Sequence, residues 1–295
     1  MRHRRPQLQG QAGKADVAGS MTKPPPGRPW SAKIEPSGTL TDERGTVDGM
    51  PWLCYTLTSL PMCLIFVCGL AQAPADSTFR ITPLRPVAEL EKEALAAQPP
   101  REAGDFRAPE LVELIKLDPA VKLDIRYATT NNFLSTPMYS EARAFLQRPA
   151  AEALVRALHS LKAKGYGLLI HDAYRPWYVT KMFWEATPED KRIFVADPKE
   201  GSKHNRGCAV DLTLYDLKTG AAVKMPSGYD EMSQRAYADY SGGTAEERER
   251  RLILRQAMEQ EGFTVYPQEW WHFDYKDWRQ YPILNIRFEQ IPPRK

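Results

Sequence analysis

Apolar residues recur at helical spacing in several stretches of the chain. In residues 150–164, Leu154, Ala157, Leu158 and Leu161 share one face, and Gly165 follows as a natural stop. Residues 177–186 follow Pro176 and predict a second helix. Residues 246–261 predict a charged amphipathic helix closed by Gly262, and residues 87–96 a short one. Strand signals have period two. Residues 117–127 alternate, with Val121, Leu123, Ile125 and Tyr127 on one face, and predict a strand. Further strands are expected at 166–171, 209–215, 263–266 and 270–275. Residues 216–220 turn the 209–215 strand into 221–225 as a hairpin. Helices and strands do not alternate regularly. The expected class is therefore α+β: a single domain with a mostly antiparallel central sheet flanked by helices.

The N-terminal part reads differently. Residues 1–50 are rich in Pro, Gly, Ser and charge, with Pro24-Pro25-Pro26 as the clearest breaker, and are expected to form a disordered leader. Met21 and Met50 are candidate starts, so the leader need not be translated. Residues 51–70 carry no charge, and Ala71-Gln72-Ala73 after them has the small-x-small form of a signal-peptidase site. Residues 51–73 are read as a signal peptide cleaved after Ala73, which implies a periplasmic or secreted protein. The alternative is an uncleaved inner-membrane anchor, because the apolar run approaches spanning length. Pro61 and the lack of a polar face argue against a buried core helix. Residues 74–108 are read as a linker and 109–292 as the folded catalytic domain.

Composition narrows the partners. The 295 residues are 42% hydrophobic, enough for one good core with appendages. The leader holds eight Lys or Arg against five Asp or Glu, which equals the whole chain's net +3, so the remainder is formally neutral. No basic stripe interleaved with aromatics follows, and no nucleic-acid partner is expected. Membrane contact is expected only through the N-terminal signal or anchor. Cys54, Cys63 and Cys68 sit in the apolar segment, leaving Cys208 alone in the domain. Cys208 cannot form an internal disulfide and is read as a small buried residue.

Two short motifs carry the chemistry. The first runs from Ser202 to Asp211 and holds His204, Gly207 and Asp211; the second is Glu269-Trp270-Trp271-His272. Together they supply two imidazoles, one carboxylate ligand and one spare carboxylate. A catalytic zinc site needs three protein ligands, an open position for water and a base beside it. Gly207 permits a tight turn between His204 and Asp211. Asp211 sits among apolar neighbours, where an unpaired charge is costly; a metal would satisfy it, and the bland alternative is a turn cap or a bond to Arg206. Glu269 and His272 are three apart, which in a strand places them on opposite faces. Either the strand begins at or after Trp270, or a bulge intervenes. His159 is read as a solvated helix residue. His171 is a weak candidate ligand at the end of a strand.

The flanking residues resemble the D-alanyl-D-alanine dipeptidases (the VanX type) of the M15 zinc peptidases. The resemblance rests on Ser-x-His-x-x-Gly-x-Ala-x-Asp-Leu-Thr-Leu-Tyr at 202–215 and on Glu-Trp-Trp-His at 269–272. It extends to Asp124-Ile125-Arg126-Tyr127-Ala128-Thr129 with Asn132-Phe133, to Gly165–Leu169, and to Asp172-Ala173-Tyr174-Arg175-Pro176. Residues 225–232 resemble the family's M-G-x-x-F-D-x-M segment, with Pro226 in place of Gly. His171 replaces what is often Trp, which argues further against a ligand role.

The resemblance covers about residues 115–285 and implies a Hedgehog/DD-peptidase-like fold. It also implies zinc-dependent hydrolysis of the small dipeptide D-alanyl-D-alanine, with one zinc per chain. Position by position, the zinc ligands fall on His204, Asp211 and His272, and the general base on Glu269. Arg175 falls where an arginine steadies the tetrahedral intermediate. Asp230 falls where the substrate amine is held, and Ser202 where its carboxylate end is contacted. The alternative is a D,D-carboxypeptidase or L,D-endopeptidase acting on peptidoglycan stem peptides. A non-catalytic wall-binding module is disfavoured by the intact Glu269 and Arg175.

Overall fold

The computed structural model describes residues 79–291. The leader, the apolar segment with its cleavage motif, the first residues of the expected linker and the last four residues lie outside them. Among the described residues no helix is long and apolar enough to cross a membrane.

The helices follow their apolar stripes and their end signals. The third, α3 (Arg148–Lys162), starts with Pro149 in its first turn and buries Leu154, Ala157, Leu158 and Leu161. Helix α5 (Ala245–Gln260) opens with a reciprocal cap. Thr244 Oγ1 accepts from the Glu247 N–H at 3.1 Å, and Glu247 Oε2 accepts from the Thr244 N–H at 2.8 Å. Helix α4 (Trp177–Ala186) follows Pro176 and buries Trp177, Val179, Met182 and Phe183. Helix α1 (Val87–Ala96) and the single-turn α2 (Leu114–Leu117) complete the set.

Among the described residues, seven strands form two sheets: β1 (Leu111–Glu113), β2 (Lys122–Leu123), β3 (Phe145–Gln147), β4 (Tyr166–Asp172), β5 (Ala209–Asp216), β6 (Phe263–Tyr266) and β7 (Glu269–Tyr275). The main sheet has the order β2-β4-β5-β7-β6, and β1 pairs with β3 in a separate ribbon. All main-sheet pairs are antiparallel except β2 with β4. Helices α3 and α5 pack on each other and on the sheet, and α1 packs on α4. Central strand β5 is buried on both faces from Ala209 to Tyr215. The class is α+β with a mostly antiparallel sheet.

Three segments differ from the sequence expectation. Residues 117–127 do not form one strand. Asp118 ends α2 and makes a turn in which its Oδ1 accepts from the Ala120 N–H at 2.8 Å. Only Lys122 and Leu123 then pair with β4, and Arg126–Ala128 close into a 3-10 turn. Val121, Ile125 and Tyr127 are still buried, so the alternation marks the core-facing positions of an irregular segment. The hairpin after β5 turns as expected, with Gly220 at φ 73°, but its return arm makes one bridge, Tyr215 to Ala222, and no strand. Pro226, lacking a backbone donor, follows soon after.

The third difference is the linker. Leu90 and Ala94 of α1 are fully buried. The Ile81 N–H donates to the Phe133 carbonyl and the Leu84 N–H to the Ala186 carbonyl, each at 2.9 Å. Glu102 accepts from Arg206 at 2.5 Å and from the Ile283 N–H at 2.6 Å. Residues 79–108 thus form a strap packed onto the domain rather than a free linker.

Candidate active site

Strand register brings the two motifs together. Asp211 of β5 stands directly opposite His272 of β7 and also faces Asp172 of β4. Opposed residues on paired strands share a face, so these three side chains form a row across the sheet. His204 comes from the 3-10 turn His204–Arg206, which Gly207 ends at φ 66°. A Cβ on Gly207 would meet the movable end of Leu111 at 2.7 Å, so it is the left-handed conformation that favours glycine there.

The orientation of each ring follows from its outer hydrogen bond. His204 Nδ1 lies 2.6 Å from the Ala173 carbonyl, which can only accept, so Nδ1 carries the proton and Nε2 faces inward with its lone pair. His272 Nε2 lies 2.8 Å from Asp274 Oδ1, leaving Nδ1 inward. These outer partners orient imidazole ligands in metal sites. The inward atoms converge. Asp211 Oδ1 is 3.3 Å from His204 Nε2 and 3.1 Å from His272 Nδ1, and the two nitrogens are 3.1 Å apart. Asp211 Oδ1 is buried and, among the described residues, finds no hydrogen-bond partner. The ligand atoms of His204, Asp211 and His272 all lie within 4.8 Å of one another.

The surrounding charge also calls for a cation. Among the described residues, Asp172, Asp211, Asp230, Glu269 and Asp274 face two cations, Arg175, which pairs with Asp172, and Lys203, 3.3 Å from Asp274. Burial disfavours charge on Asp211, yet the flanking imidazoles outweigh it and hold the carboxyl well below the usual range. Burial likewise opposes a proton on His272, but Asp274 and Asp211 outweigh it and push its pKa up to about 10 in the metal-free protein. Donor chemistry, the orphaned Asp211 oxygen and the local charge all fit a divalent metal.

Glu269 opens β7, and its Oε2 lies 3.7 Å from His272 Nδ1. A register irregularity between the Val265 and Tyr266 pairs lets residues three apart turn to one site. Burial pushes the Glu269 carboxyl up to about 7; Asp211 adds to the rise and His272 opposes it. Arg175 follows β4. Its Nε and Nη2 both donate to Asp172 Oδ2, at 3.0 and 2.7 Å, and Nη2 lies 3.8 Å from Asp211 Oδ2. The guanidinium stacks over Phe183 at 4.8 Å and Tyr127 at 5.3 Å. Asp172 is itself fixed by the Tyr139 hydroxyl at 2.7 Å.

Asp230 sits at φ 59°, an uncommon conformation for a residue other than glycine. The Tyr127 hydroxyl reaches both its oxygens at 3.0 Å. Burial first, then the charge of Asp211, push its carboxyl well above the usual range. Ser202 Oγ accepts from the His204 N–H at 3.2 Å and so braces the ligand turn while keeping its own proton to donate. His204, Asp211, His272, Glu269, Arg175, Asp230 and Ser202 all line one cavity of about 290 Å³.

The remaining candidates fall elsewhere. His159 is exposed and pairs with Asp118 at 2.8 Å. His171 is buried, stacks on Tyr229 with centroids 4.7 Å apart, and lies 3.3 Å from Asp124. Cys208 is fully buried, which pushes its thiol up to about 12. Arg206 bonds Glu102 and the Tyr281 carbonyl rather than Asp211. Sequence reasoning missed Asp172, Asp274, Tyr127 and Tyr229. Asp274 was within reach, because two residues beyond His272 on a strand share its face. Tyr127 and Tyr229 arrive only through tertiary contact.

Comparison with known proteins agrees with this geometry. The model of peptidase family M15, described as D-ala-D-ala dipeptidase, matches residues 107–291. The D-alanyl-D-alanine dipeptidase of Escherichia coli is 35% identical over 179 residues, 61% of this chain and 91% of that protein. Its namesake from Enterococcus faecium is 37% identical over 186 residues, covering 57% and 92%. The one from Enterococcus faecalis is 38% identical over 190 residues, again 57% and 92%. Among solved structures, an LD-carboxypeptidase aligns at 20% identity and a TM-score of 0.30, over 46% of this chain and 62% of that one. By its family match over residues 107–291, more than half of the chain, and its similarity to these relatives, the chain belongs to the M15 metallopeptidases of the D-ala-D-ala dipeptidase family.

Proposed function

We propose that this protein is a zinc dipeptidase that cleaves D-alanyl-D-alanine into two D-alanines. The observation that carries the proposal is the convergence of a His-Asp-His cluster, a half-buried glutamate, a fixed guanidinium and the Asp230 carboxylate on one small cavity. At about 290 Å³ it lies at the lower end of small-molecule sites, which run from ~300 to ~1,000 Å³. A small substrate suits it better than a peptidoglycan strand.

His204, Asp211 and His272 would hold the metal, and two imidazoles with one carboxylate suit zinc. Zinc, when bound, supplies Lewis acidity, lowering the pKa of water from about 15.7 to about 7 and polarising a carbonyl. Glu269 accepts the proton from the attacking water and passes it to the leaving amine. Its place at the start of β7, beside the ligand His272, puts it within reach of both tasks. Arg175 faces the same cavity and stabilises the oxyanion more than the neutral carbonyl, which lowers the barrier. Asp230 takes the substrate ammonium, which offsets the cost of a carboxylate buried beside Asp211. The Ser202 hydroxyl donates to the substrate carboxylate. The apolar segment with Ala71-Gln72-Ala73 supports export, and fusing the first 75 residues to a reporter active only after export tests that part.

The function is tested on the full chain, stripped of metal and reloaded with zinc, beside Glu269→Ala. Zinc-dependent release of D-alanine is expected, falling by about 10²–10⁴-fold in the variant at unchanged metal content. Cleavage of a muropeptide but not of the free dipeptide would replace the dipeptidase reading with the carboxypeptidase or endopeptidase one.

A further inference from the structure

Tyr229 precedes Asp230 on the loop between β5 and α5. It makes a contact that none of the roles above uses. Its hydroxyl lies 3.0 Å from Asp211 Oδ2. The two oxygens of Asp211 therefore face different partners: Oδ1 points at the inward nitrogens of His204 and His272, and Oδ2 takes the tyrosine. A carboxylate free to rotate would present either oxygen to the cluster. One held through Oδ2 presents only Oδ1.

The tyrosine is well placed to impose this. Its ring stacks on His171 at 4.7 Å and meets Trp271 edge-on at 5.6 Å. The residue is 8% exposed, so the hydroxyl has few competing waters. A phenol hydroxyl carries one proton and a carboxylate oxygen can only accept, so the tyrosine donates. An outer hydrogen bond is already identified for each imidazole: Ala173 for His204 and Asp274 for His272. We infer that Tyr229 is the positioning residue of the third ligand, fixing the Asp211 carboxylate through its outer oxygen and thereby setting metal affinity. The inference rests on the metal reading proposed above. Outer partners of this kind typically contribute about 10–100-fold in metal affinity.

The same tyrosine is joined by one peptide bond to Asp230, whose φ is 59°. The hydroxyl thus also ties the loop that carries the expected ammonium partner to the ligand strand. The ring can hold the loop by packing alone, so removing only the oxygen separates the two tasks.

The test is Tyr229→Phe in the full chain, which deletes the hydroxyl and keeps the ring. Zinc affinity is measured by competition with a chromophoric chelator, and thermal melting is followed without metal. The expected result is zinc binding weakened about 10–100-fold, with the metal-free variant still folded at the assay temperature and its melting lowered by no more than one lost buried hydrogen bond allows. Equal zinc affinity in variant and wild type would overturn the inference and leave the metal site standing. A wild-type chain that binds no zinc would sink the metal reading itself, and this inference with it.

Discussion

Arg175 illustrates how much one side chain depends on its neighbours. Two of its nitrogens are spent on a single oxygen of Asp172, and its flat face lies on Phe183 and Tyr127. A planar fork can donate twice while stacking; an ammonium cannot. Arg175→Lys keeps the charge and loses the fork. It is expected to lower kcat about 10²–10³-fold with little change in KM, because the lost interaction belongs to the transition state. Steady-state kinetics on the dipeptide check this, and a rise in KM at constant kcat would contradict it. The seven expected site residues were legible because each lies in a short motif. Their outer partners were not. Tyr127 reaches Asp230 across 103 positions, and Asp211 meets Tyr229 across 18 with a turn between; no local pattern encodes either contact.

At the scale of elements, long periodic stretches were easy to read and irregular ones were not. Helices α1 and α4 fall at the residues their spacing predicts, and α3 and α5 within two residues of them. The 117–127 segment shows why a correct burial pattern can mislead. Asp118 stops the chain from extending by turning it, and the apolar positions then reach the core from a bend. That turn gives a pH signature. The Asp118 carboxyl is held below its usual range, first by the Ala120 N–H, with burial opposing and His159 and Lys162 adding to the fall. A depressed carboxyl stabilises the fold above the unfolded pKa of about 3.9 and loses that contribution as pH falls through the folded value. Asp118→Asn should therefore be less stable than the parent at about pH 6, with a smaller gap at about pH 3. Urea unfolding at both pH values measures it. The strap makes a second prediction. Leu90 is fully buried between α1 and its neighbours, so Leu90→Ala should cost about 2–5 kcal/mol in urea unfolding. A loss below about 0.5 kcal/mol, as at an exposed site, would return residues 79–108 to the status of a linker.

For the molecule as a whole, the site and the fold are coupled through the metal. A ligand that binds only the folded chain stabilises it by about 2.7 kcal/mol at a hundredfold excess over Kd. Zinc at that excess should raise the melting temperature of the wild type and leave His204→Ala unmoved. Calorimetry with and without chelator decides it, and an equal rise in both proteins would place the zinc elsewhere. The order of assembly follows from the strap and the strand register. Glu102 meets Ile283 across 181 positions, and His204 meets His272 across 68. A chain made from its N-terminus has no complete ligand set until residue 272 has left the ribosome, and no closed strap until residue 283. An unfinished or still unfolded chain therefore carries no competent metal site. The protein draws its metal from whichever compartment it folds in, at that compartment's free-metal level.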